Sequence, residues 1–165
     1  MVQPHPDTST PAIACAVLTI SDTRTPDSDR SGQLLKQQLE AAGHSLKAYA
    51  LLPDDPQQIR QQVQQWATQS DIAVIITNGG TGIAPRDTTY DAIAQLLEKT
   101  LPGFGEIFRV LSYQEIGSRA IASRATAGVY QNTLIFVLPG STNAVQLAIE
   151  QLILPELRHL TQQLA

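Results

Sequence analysis

Ile72-Ala73-Val74-Ile75-Ile76-Thr77-Asn78-Gly79-Gly80-Thr81-Gly82 runs from an apolar, β-branched segment straight into three glycines. An apolar run this short, with no polar alternation, suits a strand covered on both faces. The polar loop Asn78–Arg86 follows, and Asp87 or Thr88 begins a helix with Tyr90, Ile93, Ala94 and Leu97 facing in. One glycine is enough for a tight turn. Three beside a threonine let the backbone take positive φ and approach a ligand closely. Their N–H groups, with the helix N-terminus, can form a nest for phosphate. The loop fits neither standard nucleotide motif. No Gly-Lys-Ser/Thr follows, and Gly80-Thr81-Gly82 is succeeded by Ile83, Ala84 and Pro85 with no third glycine two residues on.

The same unit recurs on both sides. Ile13–Ile20 is a short apolar run, then the polar segment Ser21–Arg30 leads to a helix. Ser31 can cap it, Leu35, Leu39 and Ala42 share one face, and Gly43 ends it. Leu46–Leu51 reads as a second strand. Pro53-Asp54-Asp55-Pro56 starts a helix capped by Asp55, with Ile59, Val63, Trp66 and Ala67 as its buried stripe. Leu101–Ala125 reads as helical with breaks at Pro102, Gly103, Gly105 and Gly117. Val129 and Thr133–Leu138 read as strands around a turn at Gln131-Asn132. Pro139-Gly140-Ser141 leads into a helix bearing Val145, Ile149, Leu152 and Ile153, and Pro155 precedes a short last helix. Strand–helix alternation of this kind predicts an α/β fold: a mostly parallel sheet with helices on both faces.

In such a fold the loops after the strands gather at one edge, where ligands bind. Ser21-Asp22, Pro53-Asp54-Asp55, Asn78–Asp87 and Pro139–Asn143 are those loops here. Asp87 can cap the helix or, if Thr88 caps instead, hold Mg²⁺ against phosphate. Asp55 is the better cap of its pair, which leaves Asp54 as a second metal ligand. Asp22 can contribute likewise or serve its turn. Arg86 can offset phosphate charge or stand in solvent. Ser141 can cap its helix, touch a phosphate, or both. His5, His44 and His159 share no motif, and Tyr113, Gln114 and Glu115 read as solvated helix surface.

The bulk numbers bound the rest. The chain has 165 residues, 42% of them hydrophobic, and a net charge of -4, which disfavours a nucleic-acid partner. Cys15 is the one cysteine; it lies in an apolar run and reads as an inert core thiol. Met1–Pro11, with three prolines, reads as a disordered tail before a single domain over 12–165. It has no apolar core segment, and no run approaches the ~20 residues that span a bilayer. A soluble cytoplasmic protein with no membrane partner is the expectation.

The assembled pieces resemble a known family. Ile76–Asp87 is similar to the Gly-Gly-Thr-Gly…Arg-Asp signature of the molybdenum cofactor biosynthesis proteins of the MoaB/Mog type. Leu18–Asp22, Pro26–Gly32, Pro53–Asp55, Ser123-Arg124 and Leu138–Ser141 match in order, and Gly103–Arg109 through Glu115–Gly117 resembles the MoaB branch. Asn78, Thr89-Tyr90 and Thr142 depart from the residues common at those places. The resemblance implies a three-layer molybdopterin-binding fold, assembled as a homotrimer or homohexamer. It implies a cytoplasmic adenylyltransferase: the molybdopterin phosphate attacks the α-phosphate of ATP, with Mg²⁺ required, and the adenylate passes to a molybdate-inserting partner. The alternative is a non-catalytic molybdopterin carrier. Asp87 and Asp54 match the essential acidic residues and are expected to hold Mg²⁺. Gly79, Gly80, Thr81 and Gly82, with Arg86 and Asp22, are expected at the nucleotide phosphates. Ser123, Pro139, Gly140 and Ser141 match positions lining the molybdopterin pocket.

Overall fold

The computed structural model describes residues 11–165, so the expected tail, except Pro11, lies outside the described residues. Six strands form one sheet: β1 (Ala14–Ile20), β2 (Ser45–Leu52), β3 (Val74–Asn78), β4 (Lys99–Thr100), β5 (Thr126–Tyr130) and β6 (Thr133–Leu138), in the order β2-β1-β3-β6-β5-β4. β2, β1, β3 and β6 are mutually parallel, whereas β5 runs antiparallel to both its neighbours. Gln131 (φ 46°) and Asn132 (φ 63°) turn β5 into β6, as a two-residue hairpin requires.

Side chains alternate across the strands and divide the core in two. Cys15 and Val17 face α1 (Arg30–Ala41), α4 (Pro102–Ile116) and the C-terminal helices. Ala16, Leu18 and Ile20 face α2 (Pro56–Ala67) and α3 (Thr89–Ala94). This is the three-layer arrangement expected. Burial lifts the Cys15 thiol to about 12, in keeping with an inert core residue.

Several boundaries differ from the sequence reading. The cap of α1 is Asp29, which accepts from Gly32 N at 3.0 Å; Ser31 lies inside the helix and donates to Gly140 O at 2.9 Å. Asp29 is fully buried, also accepts from Tyr49 Oη at 2.7 Å, and lies 3.6 Å from Arg24 Nη1. Burial and that carboxylate together raise the Tyr49 phenol well above its usual range. α1 ends at Ala41, and Gly43 takes φ 82° just beyond. α3 stops at Ala94, so Leu97 lies outside it, and the two-residue β4 that follows carries no periodicity to read.

Gly103 and Gly105 do not break α4, and Pro102 sits in its first turn. A Cβ on Gly105 would fall 2.6 Å from Ala125 O, so packing against the entrance to β5 selects glycine over helix propensity. Gly117, at φ 63°, does end α4, and a 3₁₀ turn over Gly117–Ala122 follows. The last helix is not separate. α5 (Thr142–Ala148) passes through a π-helical turn, Ile149–Ile153, directly into α6 (Leu154–Gln162). Pro155 lacks an N–H and crowds the carbonyl four residues back, so the preceding turn widens instead of breaking.

Candidate functional site

Register places the site. Ile20 pairs with Leu52, Thr19 with Asn78, and Asn78 with Leu138. Four neighbouring strands therefore end at one level, and their loops interlock. Ser21 N donates to Leu52 O, and Gly79 N to Leu138 O. Asp54 N donates to Asp22 Oδ1 at 2.9 Å, and Arg86 pairs with Asp22. Gly140 packs so tightly on Gly79 that a Cβ on it would lie 3.1 Å from Gly79 Cα.

The glycines have separate reasons. Gly79 and Gly80 take φ 102° and 65°, which L side chains avoid. A Cβ on Gly80 would overlap Asp54 Oδ2 and Thr89 Oγ1. Gly82 has no left-handed backbone, but a Cβ there would fall 2.6 Å from Asp87 Oδ2. Each acidic residue therefore presses against a glycine of the loop.

Asp87 does not cap the helix. It precedes the N-cap Thr88 and folds back to accept from Ala84 N at 3.2 Å. Thr88 caps by position only, without a side-chain cap bond; Asp54 Oδ1 accepts from its N–H at 3.1 Å and its hydroxyl at 2.6 Å. The cap of α3 is thus supplied from the β2–α2 loop. Asp55 caps α2 as expected, accepting from Gln58 N, and Ser141 caps α5, accepting from Ala144 N at 3.3 Å. Two N–H groups at the start of α3 are already taken: Thr88 N by Asp54 and Thr89 N by Gly80 O.

Two cavities flank the loop. The first, about 500 Å³, is lined by Gly79–Gly82, Asp87, Ser123, Pro139, Gly140 and Ser141, and by Arg24 and Arg119. The second, about 440 Å³, lies among α2, α3 and Ile83–Pro85, with Arg60 and Arg124 at its wall. Gly82 and Asp87 belong to both. Asp54, Asp22 and Arg86 stand at the back of the loop, outside the first cavity's lining. Ser123 Oγ is buried and hydrogen-bonds to nothing among the described residues, which is unusual for a buried hydroxyl.

Two arginines are absent from the sequence-derived site. Arg24 Nη2 donates to Gly140 O at 2.8 Å, and Arg124 bonds the carbonyls of Thr81 and Gly82. Arg24 lies in a polar loop, and Arg124 stands more than 40 positions from those carbonyls, so spacing alone could not find either.

The chain matches the model of a "Probable molybdopterin binding domain" over residues 16–159. It is 54% identical over 155 residues to molybdenum cofactor biosynthesis protein B of Staphylococcus carnosus, covering 92% of this chain and 91% of that one. This chain belongs to the molybdenum cofactor biosynthesis protein B family. A crystal structure of a molybdenum cofactor biosynthesis protein B superimposes with a TM-score of 0.92 at 47% identity, covering 94% of this chain and 98% of that chain. The tungsten cofactor synthesizing protein MoaB from Pyrococcus furiosus gives 0.84 at 34% identity, with the same coverage. The MoaB fold expected from the Gly-rich signature is therefore the fold observed.

Proposed function

We propose that this MoaB-family chain acts in molybdenum cofactor biosynthesis by adenylylating molybdopterin with Mg-ATP. The phosphate oxygen of molybdopterin attacks the α-phosphorus of ATP, the bond to the β-phosphate breaks, and pyrophosphate leaves. The observation that carries this reading is Asp87, a carboxylate not used as a helix cap and pressed against the Gly-rich loop where two cavities meet. A site that joins two substrates needs such a meeting point, since alignment supplies much of the rate in phosphoryl chemistry.

The donor set fits Mg²⁺. Asp87 Oδ1 accepts no hydrogen bond from the described residues, so this acid keeps an oxygen for a cation at the wall the two cavities share. Asp54 Oδ2 is likewise unbonded among the described residues but lies behind Gly80, where a second ligand would have to reach the cation past the loop. Mg²⁺ is held by one or two carboxylates together with phosphate oxygens. No group of three acidic, histidine or cysteine side chains forms a metal site among the described residues. When bound, Mg²⁺ neutralises charge on the reacting phosphates. Gly79–Gly82 holds the nucleotide phosphates. Ser123, Pro139, Gly140 and Ser141 face the pterin, and the unpartnered Ser123 hydroxyl supports that side as a binding wall. Arg86 and Asp22 form an ion pair behind the loop, and Asp22 also holds Asp54 N, so their part is to brace the loop from outside the two cavities. The product passes to a molybdate-inserting partner.

Assembly as a homotrimer or homohexamer is supported by Ile107, Val110, Tyr113 and Ile116, exposed three residues apart along α4, and by Ile121 at 87% exposure beside them. Monomers rarely show such a stripe to water. Tyr113 is thus part of an apolar face as well as solvated surface.

The test is incubation of the purified chain with molybdopterin, ATP and Mg²⁺, followed by chromatography for the AMP adduct and assay of pyrophosphate. Equal amounts of both are expected. Molybdopterin bound with no adduct at any Mg²⁺ concentration overturns the proposal in favour of a carrier.

A further inference from the structure

Ser123 and Arg124 stand between the 3₁₀ turn and β5, and Ser123 is extended (φ −77°, ψ 118°). Neighbouring side chains in extended backbone leave on opposite sides. Ser123 accordingly lines the first cavity and Arg124 the second, so the pair straddles the Gly-rich loop. The Arg124 guanidinium is fully engaged. Nε donates to Thr81 O at 3.0 Å and Nη2 to Gly82 O at 3.0 Å; Nη1 and Nη2 reach Asp91 at 3.2 and 3.0 Å; and the plane lies 4.7 Å from the Tyr90 ring.

A trans peptide is planar, so each carbonyl points opposite to the N–H that follows it. Holding Thr81 O fixes the direction of Gly82 N–H, and holding Gly82 O fixes that of Ile83 N–H. Both are turned away from the guanidinium. Gly80 O, held by Thr89 N at 3.0 Å, directs Thr81 N–H in the same manner. None of these three N–H groups donates to an acceptor among the described residues. Along three successive peptides, the acceptors are occupied and the donors are open, which is the polarity an anion requires.

We infer that Arg124 is a positioning residue: it makes the Gly-rich loop receptive to phosphate by clamping its carbonyls from behind, without touching the phosphate. The inference rests on the proposed reading of this loop as a phosphate site. Lysine cannot replace the guanidinium, because the clamp needs several donors in a fixed plane and lysine offers a point charge.

The test is an NMR titration of the ¹⁵N-labelled chain with Mg-pyrophosphate, run beside the adduct assay and thermal unfolding for wild type, Arg124→Ala and Arg124→Lys. In the wild type, the Gly82 and Ile83 amide resonances should move on binding. Both variants should bind pyrophosphate at least tenfold more weakly, with KM for ATP raised similarly. Arg124→Lys should stay folded and still fail to rescue. Wild-type affinity in Arg124→Lys overturns the inference, because charge alone would then suffice. Unmoved Gly82 and Ile83 amides overturn it also. If the wild type binds pyrophosphate through these amides, the variants lose it, and no adduct forms in any protein, the inference stands while the adenylyltransferase reading falls. If all three proteins form adduct with equal constants, the inference falls alone.

Discussion

The loops after the neighbouring strands β3 and β6 reach their helices in different ways. After β6, three residues suffice: Pro139, Gly140 and then Ser141, which caps α5 with its own hydroxyl. After β3, ten residues intervene before α3, and beside their local bonds they are shaped from three distant segments. Asp54 from the β2–α2 loop supplies the cap, Arg124 from before β5 clamps two carbonyls, and Asp22 holds Arg86. The first loop carries its own helix cap and is held from outside at Gly140 O, by Arg24 and Ser31, whereas the second takes even its cap from elsewhere in the fold. The proposed chemistry is placed in the second, whose carbonyls are held by Arg124 and Thr89 while the N–H groups between them stay open among the described residues.

The largest effect should come from the acid at the end of the long loop, just before the α3 cap. Asp87→Ala should lower adenylylation by about 10²–10³-fold while molybdopterin affinity, by fluorescence quenching, changes little; loss of both would make Asp87 a structural prop. Next come the glycines, one from each loop. Gly80→Ala meets a left-handed φ and overlaps Asp54 and Thr89, and should cost roughly 2–3 kcal/mol in urea unfolding. Gly140→Ala meets only Gly79 Cα at 3.1 Å, and should cost under ~1 kcal/mol. Equal costs would remove the distinction between the loops.

Asp54→Asn sharpens it further. Asparagine keeps an oxygen for the Thr88 N–H, so stability should hold within about 1 kcal/mol, while activity falls with the lost charge. Asp54→Ala should lose activity and ~1–2 kcal/mol together. In stability alone, the short loop gives a modest effect: Ser141→Ala should cost about 1 kcal/mol by the same unfolding assay.

The legibility of the sequence follows the same division. Apolar runs and Asp55-Pro56 declare β1, β3, β6 and the start of α2 because strand burial and capping are local matters. Asp29 rather than Ser31 caps α1 because Tyr49, 20 positions away, completes the carboxylate's bonding. Gly105 belongs inside a helix because Ala125 O crowds it. Within the site, the glycines, Asp54 and Asp87 can be named from their pattern. Arg86 belongs to that pattern and Arg124 to the Ser123-Arg124 match, but the carbonyls that Arg24 and Arg124 hold cannot be read from it, since a guanidinium's partners lie wherever the chain happens to return.

The fit of each acid against a glycine ties their histories together. Gly80 has no room for a methyl group while Asp54 is present, nor Gly82 while Asp87 is. A descendant that gave up Asp87 for a smaller residue would release Gly82 to drift toward alanine, because its backbone is already ordinary. Gly80 would gain no such freedom from losing Asp54, since its left-handed φ still forbids the change. The two glycines should therefore decay at different rates in any lineage that abandons the chemistry, with position 82 the first to record the loss.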